Sequence, residues 1–370
     1  MITIDGSYGE GGGQILRTAL ALSALTQQPF QHTNIRAHRE QPGLKAQHLA
    51  AVTAVQQLCE GTVEGALLGS TKLVFYPHVI HARTIEIDIG TAGSTTLVLQ
   101  ALLLPALFAQ KQIKLIVHGG TDVQHAPPAN YFHEVLLPHL KKYAHKIDFK
   151  LIKRGYYPAG GGTIELVIKP RFTLTKRTLH DLRTTLAQAQ PIKLTNQGHL
   201  LMLRGTSHAS SDLQEARVAE RQAHAAQLYL SKKFTCPIKI TSEYATTLST
   251  GSGITLSAHF SQRPDDIDEQ NPLILGADAS GAKGIPAEKI GQTAAASITE
   301  LIHSKTPLDD HLADMLIPFM ALHPGSIITP IMITNHTRTN IYVTEQFLGH
   351  CIKIDEKNKR IESCQEPPGS

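Results

Sequence analysis

The sequence predicts an α/β protein of repeated modules (α+β sandwich units) with a smaller α/β domain inserted in the last of them. Three observations carry this expectation. Short β-branched runs alternate with longer stretches whose apolar residues recur every three or four positions. A strand, a glycine-rich loop and a helix near the N-terminus are followed by the same succession roughly 80 residues later. The rhythm then changes between residues 183 and 303, where Ala/Gln/Arg-rich and Ser/Thr/Gly-rich segments intervene. A chain of 370 residues, 41% hydrophobic and 18% charged, has the length of two or three domains and needs no disulfide or metal staple.

In chain order, a strand at Ile2–Ile4 leads into the loop Gly6-Ser-Tyr-Gly-Glu-Gly-Gly-Gly13 and a helix from Gln14. Asn34–Ala37 reads as the next strand. A helix is expected over Pro42 to Cys59, because Leu44, Leu49, Val52, Val55 and Leu58 fall near one stripe and Pro42-Gly43 marks a start. The second copy opens at Ile85–Ile89, passes through Gly90-Thr-Ala-Gly-Ser94 and enters a helix at Thr95. A third, partial copy is expected from a helix about Leu312–Leu322 and strand-like runs at Ile327–Ile333 and Ile341–Thr344. Residues 1–182 plus 304–370 would then form the repeated-module domain and 183–303 the insert, with a helix at Ser211–Leu230, strands to Phe260, a polar loop at Arg263–Asn271 and a helix after Pro286. The charged tail beyond Glu356, ending Pro-Pro-Gly-Ser, is expected to fray.

Thirty-five Lys+Arg against 31 Asp+Glu leave a net +4, too mild for a nucleic-acid coat, so any polyanion site must be local. Cys59, Cys236, Cys351 and Cys364 form no CxxC or zinc pattern, and a reducing cytoplasm is the expected home. The N-terminus lacks the basic and apolar regions of a signal peptide. Gln100 and Pro105 interrupt the best apolar stretch, Leu97 to Ala109, so a soluble protein with no membrane partner is expected.

The run Asp5-Gly-Ser-Tyr-Gly-Glu-Gly-Gly-Gly-Gln-Ile-Leu-Arg17 joins a strand to a helix N-terminus, where free backbone N–H groups and the helix dipole suit an anion. A ligand-free tight turn is the plain alternative. Glu10 could hold Mg²⁺ and Arg17 could grip phosphate. The run is neither a Walker A loop nor a GxGxxG turn. Downstream, Arg36, Arg39, Lys45 and Gln47 gather within one turn and the start of a helix, which suits a polyphosphate or an RNA end as well as a solvated basic face. The stretches His118–Pro128 and Gly155–Gly162 read as architecture. Among 20 histidines, His336 is singled out by its polar turn, Asn335-His-Thr-Arg-Thr-Asn340, between two strand-like runs. There an oriented neutral imidazole can attack phosphorus. The His-x-Ser pairs at His208 and His259 have no supporting pattern. The Lys-x-Asp-Gly nucleophile of other nucleotidyl transferases is missing, since Thr3 stands at the lysine position of Thr3-Ile-Asp-Gly6.

Taken jointly and in order, Gly6 through Ser23, Arg36…Pro-Gly-Leu…Gln47-His-Leu49, Gly119-Gly-Thr-Asp…Ala-Pro-Pro128, Gly155-Tyr-Tyr-Pro-Ala-Gly-Gly-Gly162, His311-Leu-Ala-Asp314 and His336-Thr-Arg-Thr-Asn340 resemble the RNA 3′-terminal phosphate cyclase family. The resemblance implies three units of a four-stranded sheet backed by two helices, with the insert in the third. It implies ATP-dependent conversion of an RNA 3′-phosphate to a 2′,3′-cyclic phosphate, with AMP and pyrophosphate released and a divalent cation, Mg²⁺ or Mn²⁺, assisting. His336 would carry AMP and Glu10 would hold the metal. Arg17, Arg36, Arg39 and Gln47 would bind phosphates, while Gln100 and His311, Leu312, Ala313, Asp314 and Met315 would line the adenosine pocket. Met315 departs from the glutamine common there, which puts strict ATP preference in doubt. A non-catalytic branch of the family, a scaffold in ribosome assembly, lacks the nucleophilic histidine. An enolpyruvyl-transferase-like reading rests on fold analogy alone.

Overall fold

A computed structural model describes residues 1–172, 174, 179–263 and 268–364. Its first module runs β1 (Ile2–Asp5), α1 (Gln14–Thr26), β2 (Phe30–Thr33), α2 (Ala46–Cys59), β3 (Thr62–Glu64) and β4 (Leu73–Tyr76). The strands form one sheet ordered β1-β2-β4-β3, with β1 parallel to β2 and the other pairs antiparallel. The second module repeats this plan with β5 (Thr84–Asp88), α3 (Thr95–Leu107), β6 (Ile113–Gly119), a second helical run, β7 (Ala144–Lys153) and β8 (Gly162–Pro170), ordered β5-β6-β8-β7. That helical run is broken into α4 (Ala129–Tyr131), a π-helical turn at Phe132–Leu136 and α5 (Leu137–Leu140). After α6 (Leu179–Leu186), the third module opens with β9 (Lys193–Leu194).

The chain then departs into a four-stranded sheet of its own. The inserted elements are β10 (His199–Ser210), α7 (Val218–Ser231), β11 (Ile238–Ala245), β12 (Ser252–Ser261), β13 (Leu273–Ser280) and α8 (Ala287–His303). It returns through α9 (Asp310–Leu322), β14 (Ile327–Ile328), α10 (Asn335–Leu348), β15 (Ile352–Asp355) and β16 (Arg360–Ser363). Because β9 pairs in parallel with β14, residues 193–194 belong to the third module's sheet although they lie within the span 183–303 expected to be insert. The separate sheet begins only at His199.

The helices meet on the inside. Every residue of α1 is buried except Arg17 and Thr26, and α3 is buried along nearly its whole length, as helices apolar on all sides must be. Ser94 caps α3 by accepting the Leu97 N–H, and Asp309 caps α9 by accepting that of Leu312.

Three local expectations are corrected. Asn34–Ala37 is a turn, because Asn34 and Arg36 adopt φ of 51° and 55°, which no strand accommodates. Ile341–Thr344 is helical. Its β-branched residues favour a strand locally, but Thr334 accepts the Thr337 N–H at 3.1 Å and starts α10, which buries Thr337, Ile341, Thr344 and Leu348 on one side. The tail does not fray at Glu356, since β16 pairs with both β14 and β15 in the third sheet. Residues 365–370 lie outside the described residues, as do residues 264–267 of the expected polar loop.

Candidate active site

His336 is therefore not in a turn between strands but in the first turn of α10, half exposed, and the cap at Thr334 fixes its position. Facing it is the loop between β1 and α1. Gly13 ends that loop against α2, where a Cβ would come within 2.1 Å of the buried His48 ring, so only glycine fits. This close approach sets the first residue of α1, Gln14, against His336.

The Gln14 amide is buried and its orientation is determined by its neighbours. Its Nε2 donates to Asp314 Oδ1 at 2.5 Å and to the His336 carbonyl at 3.0 Å. A carbonyl only accepts, so the Nε2 end must be the NH₂, and Oε1 faces His336 Nδ1 at 2.5 Å. Nδ1 therefore carries a proton, and Nε2 faces Glu10, whose Oε2 is 3.0 Å away and accepts from the ring whenever Nε2 is protonated too. Burial lowers the His336 pKa from its ordinary 6.5; Glu10 opposes this, and Arg17, Arg39 and His311 add to the lowering. The net lowering favours the neutral ring, the form of an imidazole that can act as a nucleophile.

A second layer holds this pair. Asn340, one turn beyond His336, donates from Nδ2 to Asp314 Oδ1 and to its carbonyl at 2.6 and 2.9 Å, and accepts from Thr18 at 2.6 Å. Burial pushes Asp314 up to about 7 despite the pull of Arg17, Gln14 and Asn340, and burial draws Arg17 down to about 10 with Asp314 opposing. The sequence reading missed Gln14, Thr18 and Asn340. Their signal was the one-turn spacing of Gln14 with Thr18 and of His336 with Asn340.

Because Asp314 titrates higher folded than unfolded, its contribution to stability is full below its unfolded pKa near 3.8 and is lost as pH rises through about 7. Asp314→Asn should remove this dependence. The difference in Tm between variant and wild type should move in the variant's favour from pH 4 to pH 8 in a calorimetric series, and a constant difference would refute the assignment.

The remaining expected residues divide. Arg39 lies over the loop, its guanidinium 3.0 Å from where a Gly12 Cβ would stand and 3.7 Å from Glu10. Arg36 instead donates to the carbonyls of Gln41 and Gly43 at 2.7 and 2.9 Å, and Lys45 bonds Gln41. Gln47 accepts the Ser94 N–H at 2.6 Å and so ties α2 to the second glycine loop. Between α1, α3 and α9 runs a narrow cleft of about 40 Å³, partly open to solvent, lined among others by Arg17, Gln100, Asp314, Met315 and Asn340. Within it Gln100 Nε2 donates to Met315 Sδ at 3.1 Å. Leu312 and Ala313, expected to line an adenosine pocket, have fully buried side chains and offer only backbone groups there. His311 faces an adjoining recess with Asp278, Glu300 and Asp310 instead of the cleft.

The sequence profile of the RNA 3′-terminal phosphate cyclase family matches residues 8–354, which spans the glycine loop, the cleft and α10. The chain belongs to this family. It is 43% identical over 369 residues to the RNA 3′-terminal phosphate cyclase of Methanosarcina acetivorans, covering 98% of this chain and 99% of the relative. It is 42% identical over 355 residues to that of Pyrococcus abyssi (96% and 95%) and 42% over 374 residues to that of Caldivirga maquilingensis (99% and 98%). This one match spans both the candidate site residues and the inserted sheet. Among the described residues no helix is long and apolar enough to cross a membrane.

Proposed function

We propose that the chain uses ATP to convert the 3′-phosphate of an RNA to a 2′,3′-cyclic phosphate, with AMP carried transiently on His336 Nε2. The single observation that supports this reading is the Gln14 amide, which engages Nδ1 and leaves Nε2 as the ring nitrogen for attack, while Gln14 itself lines the cleft bearing Arg17. Attack by Nε2 on the α-phosphorus forms a P–N bond, breaks the α–β anhydride and releases pyrophosphate. An oxygen of the RNA 3′-phosphate then takes the AMP, and the imidazole is regenerated. The neighbouring 2′-OH closes on the activated phosphorus, loses its proton and expels AMP. A terminal monoester has no adequate leaving group before adenylylation, whereas the 2′-OH is already within reach.

Arg17 and Arg39 offset phosphate charge in this scheme, while Arg36 holds the turn that carries Arg39 and Gln47 holds the second glycine loop. A cation held by Glu10 would draw its carboxylate off Nε2, 3.0 Å away, and leave that nitrogen its lone pair. Among the described residues no cluster of three or more His, Cys, Asp or Glu is placed to hold a metal, so Glu10 would bind Mg²⁺ or Mn²⁺ jointly with nucleotide phosphates and water. Such an ion would supply charge neutralisation at the phosphates.

A 3′-phosphorylated oligoribonucleotide incubated with the protein, ATP and Mg²⁺ should become resistant to phosphatase with AMP set free, whereas the same oligonucleotide with a 2′-deoxy terminal sugar, unable to cyclise, should keep AMP joined to its 3′-phosphate. Persistent sensitivity of both would sink the reading. Met315 gives a finer test. Its sulfur occupies the donor of Gln100 and offers a nucleobase little in return. Met315→Gln should raise the kcat/KM preference for ATP over GTP by about tenfold, the worth of one hydrogen bond; an unchanged ratio would place the base elsewhere.

A further inference from the structure

We propose that Tyr8 is the platform on which the terminal nucleobase of the acceptor RNA stacks, an inference that rests on the function proposed above. Tyr8 stands on the glycine loop two residues before Glu10 and is 43% exposed. Its backbone is already satisfied: the N–H donates to the Asp5 carbonyl at 3.3 Å and its carbonyl accepts from Gly11 at 3.0 Å. The turn therefore does not need an aromatic side chain. The ring nevertheless lies flat on that of Tyr342 in α10, with centroids 3.9 Å apart and planes 13° from parallel. The loop is pressed onto the helix at Gly9, where φ is +57° and a Cβ would meet the Thr339 hydroxyl at 2.5 Å. The result is an exposed aromatic plane braced on one side and held rigid, which a base can use with little loss of entropy.

Position selects the occupant. Tyr342 lies six residues beyond His336, about 9 Å along the helix axis and about a third of a turn around it. Tyr8 is two residues from Glu10, which reaches His336 Nε2 at 3.0 Å, so the platform stands near the nucleophile on the loop side. Tyr8 does not line the cleft between α1, α3 and α9, which leaves it to the acceptor strand. Stacking accepts any base, so the platform confers affinity without sequence preference.

The test separates this inference from the one beneath it. Transfer of label from α-labelled ATP to the protein without RNA reports the histidine step. Tyr8→Ala should raise KM for a short 3′-phosphorylated oligoribonucleotide by about 10- to 100-fold, while label transfer in the absence of RNA stays within about twofold of wild type; Tyr8→Phe should keep KM near the original value. With wild-type protein, an oligonucleotide abasic at its terminal residue should show the same rise in KM, and combining it with Tyr8→Ala should add nothing further. An unchanged KM in Tyr8→Ala, or full additivity with the abasic end, would overturn the platform. Absence of label on the wild-type protein would instead overturn the proposed function.

Discussion

His336→Ala is expected to abolish both transfer of label from α-labelled ATP and protection of the RNA 3′ end, a loss of at least about 10⁴-fold, as when a nucleophile is removed from its supporting groups. The label on wild-type protein should be acid-labile and alkali-stable, as a P–N bond requires. Other labelled histidines are the natural objection, since the chain has 20. The surroundings answer it. Of the histidines held in partnered geometry, His208 is buried between Tyr156 and Asp122 and pushed down to about 3, with no open path to a phosphate. His336 is half exposed at the glycine loop, with Nδ1 on Gln14 and Nε2 beside the half-exposed Glu10. The pH dependence follows with a definite sign. Only the neutral ring attacks, and its pKa lies below 6.5, so label transfer should be flat at neutral pH and fall as pH drops below that value. An acid limb centred above 6.5, or label retained by the alanine variant, would remove His336 from its role.

How much of this the sequence disclosed depends on whether the signal was local. Strand, loop and helix around Gly6–Gly13 and Gly90–Ser94 are written in contiguous residues, and α1, α3 and α9 fall where the periodicity puts them. The element that bears His336 was misread, because Ile341, Val343 and Thr344 suit a strand and the overriding cap is a single threonine, Thr334, directly before the expected turn. His336 could still be chosen, since its identity rests on residues adjacent in sequence. Its partner could not. Gln14 and His336 are 322 positions apart and meet only after three modules have packed their helices together. The same distance explains Leu312 and Ala313, which share a motif with Asp314 yet point into the core, because a helix turns successive residues to different sides.

That distant partner carries the second large prediction. Gln14→Leu keeps the volume of the side chain but removes the acceptor at Nδ1 and the donors to Asp314 and the His336 carbonyl. The ring then becomes free to place its proton on Nε2, beside Glu10, where a hydrogen bond favours it and the lone pair is lost from the cleft. Label transfer should fall by about 10²- to 10⁴-fold with KM for ATP changed only a few-fold, the pattern of a wrong tautomer. A merely loosened helix would give a lowered Tm and a rise in KM together, and that outcome would reduce Gln14 to a packing residue. Gln14→Glu supplies the contrast. Its carboxylate restores an acceptor for Nδ1–H, so part of the rate should return, but its negative charge favours the imidazolium and draws the acid limb toward higher pH. Against Asp314, already near 7, the introduced carboxylate meets a like neighbour, and the proton they come to share replaces the amide donor that wild type provides.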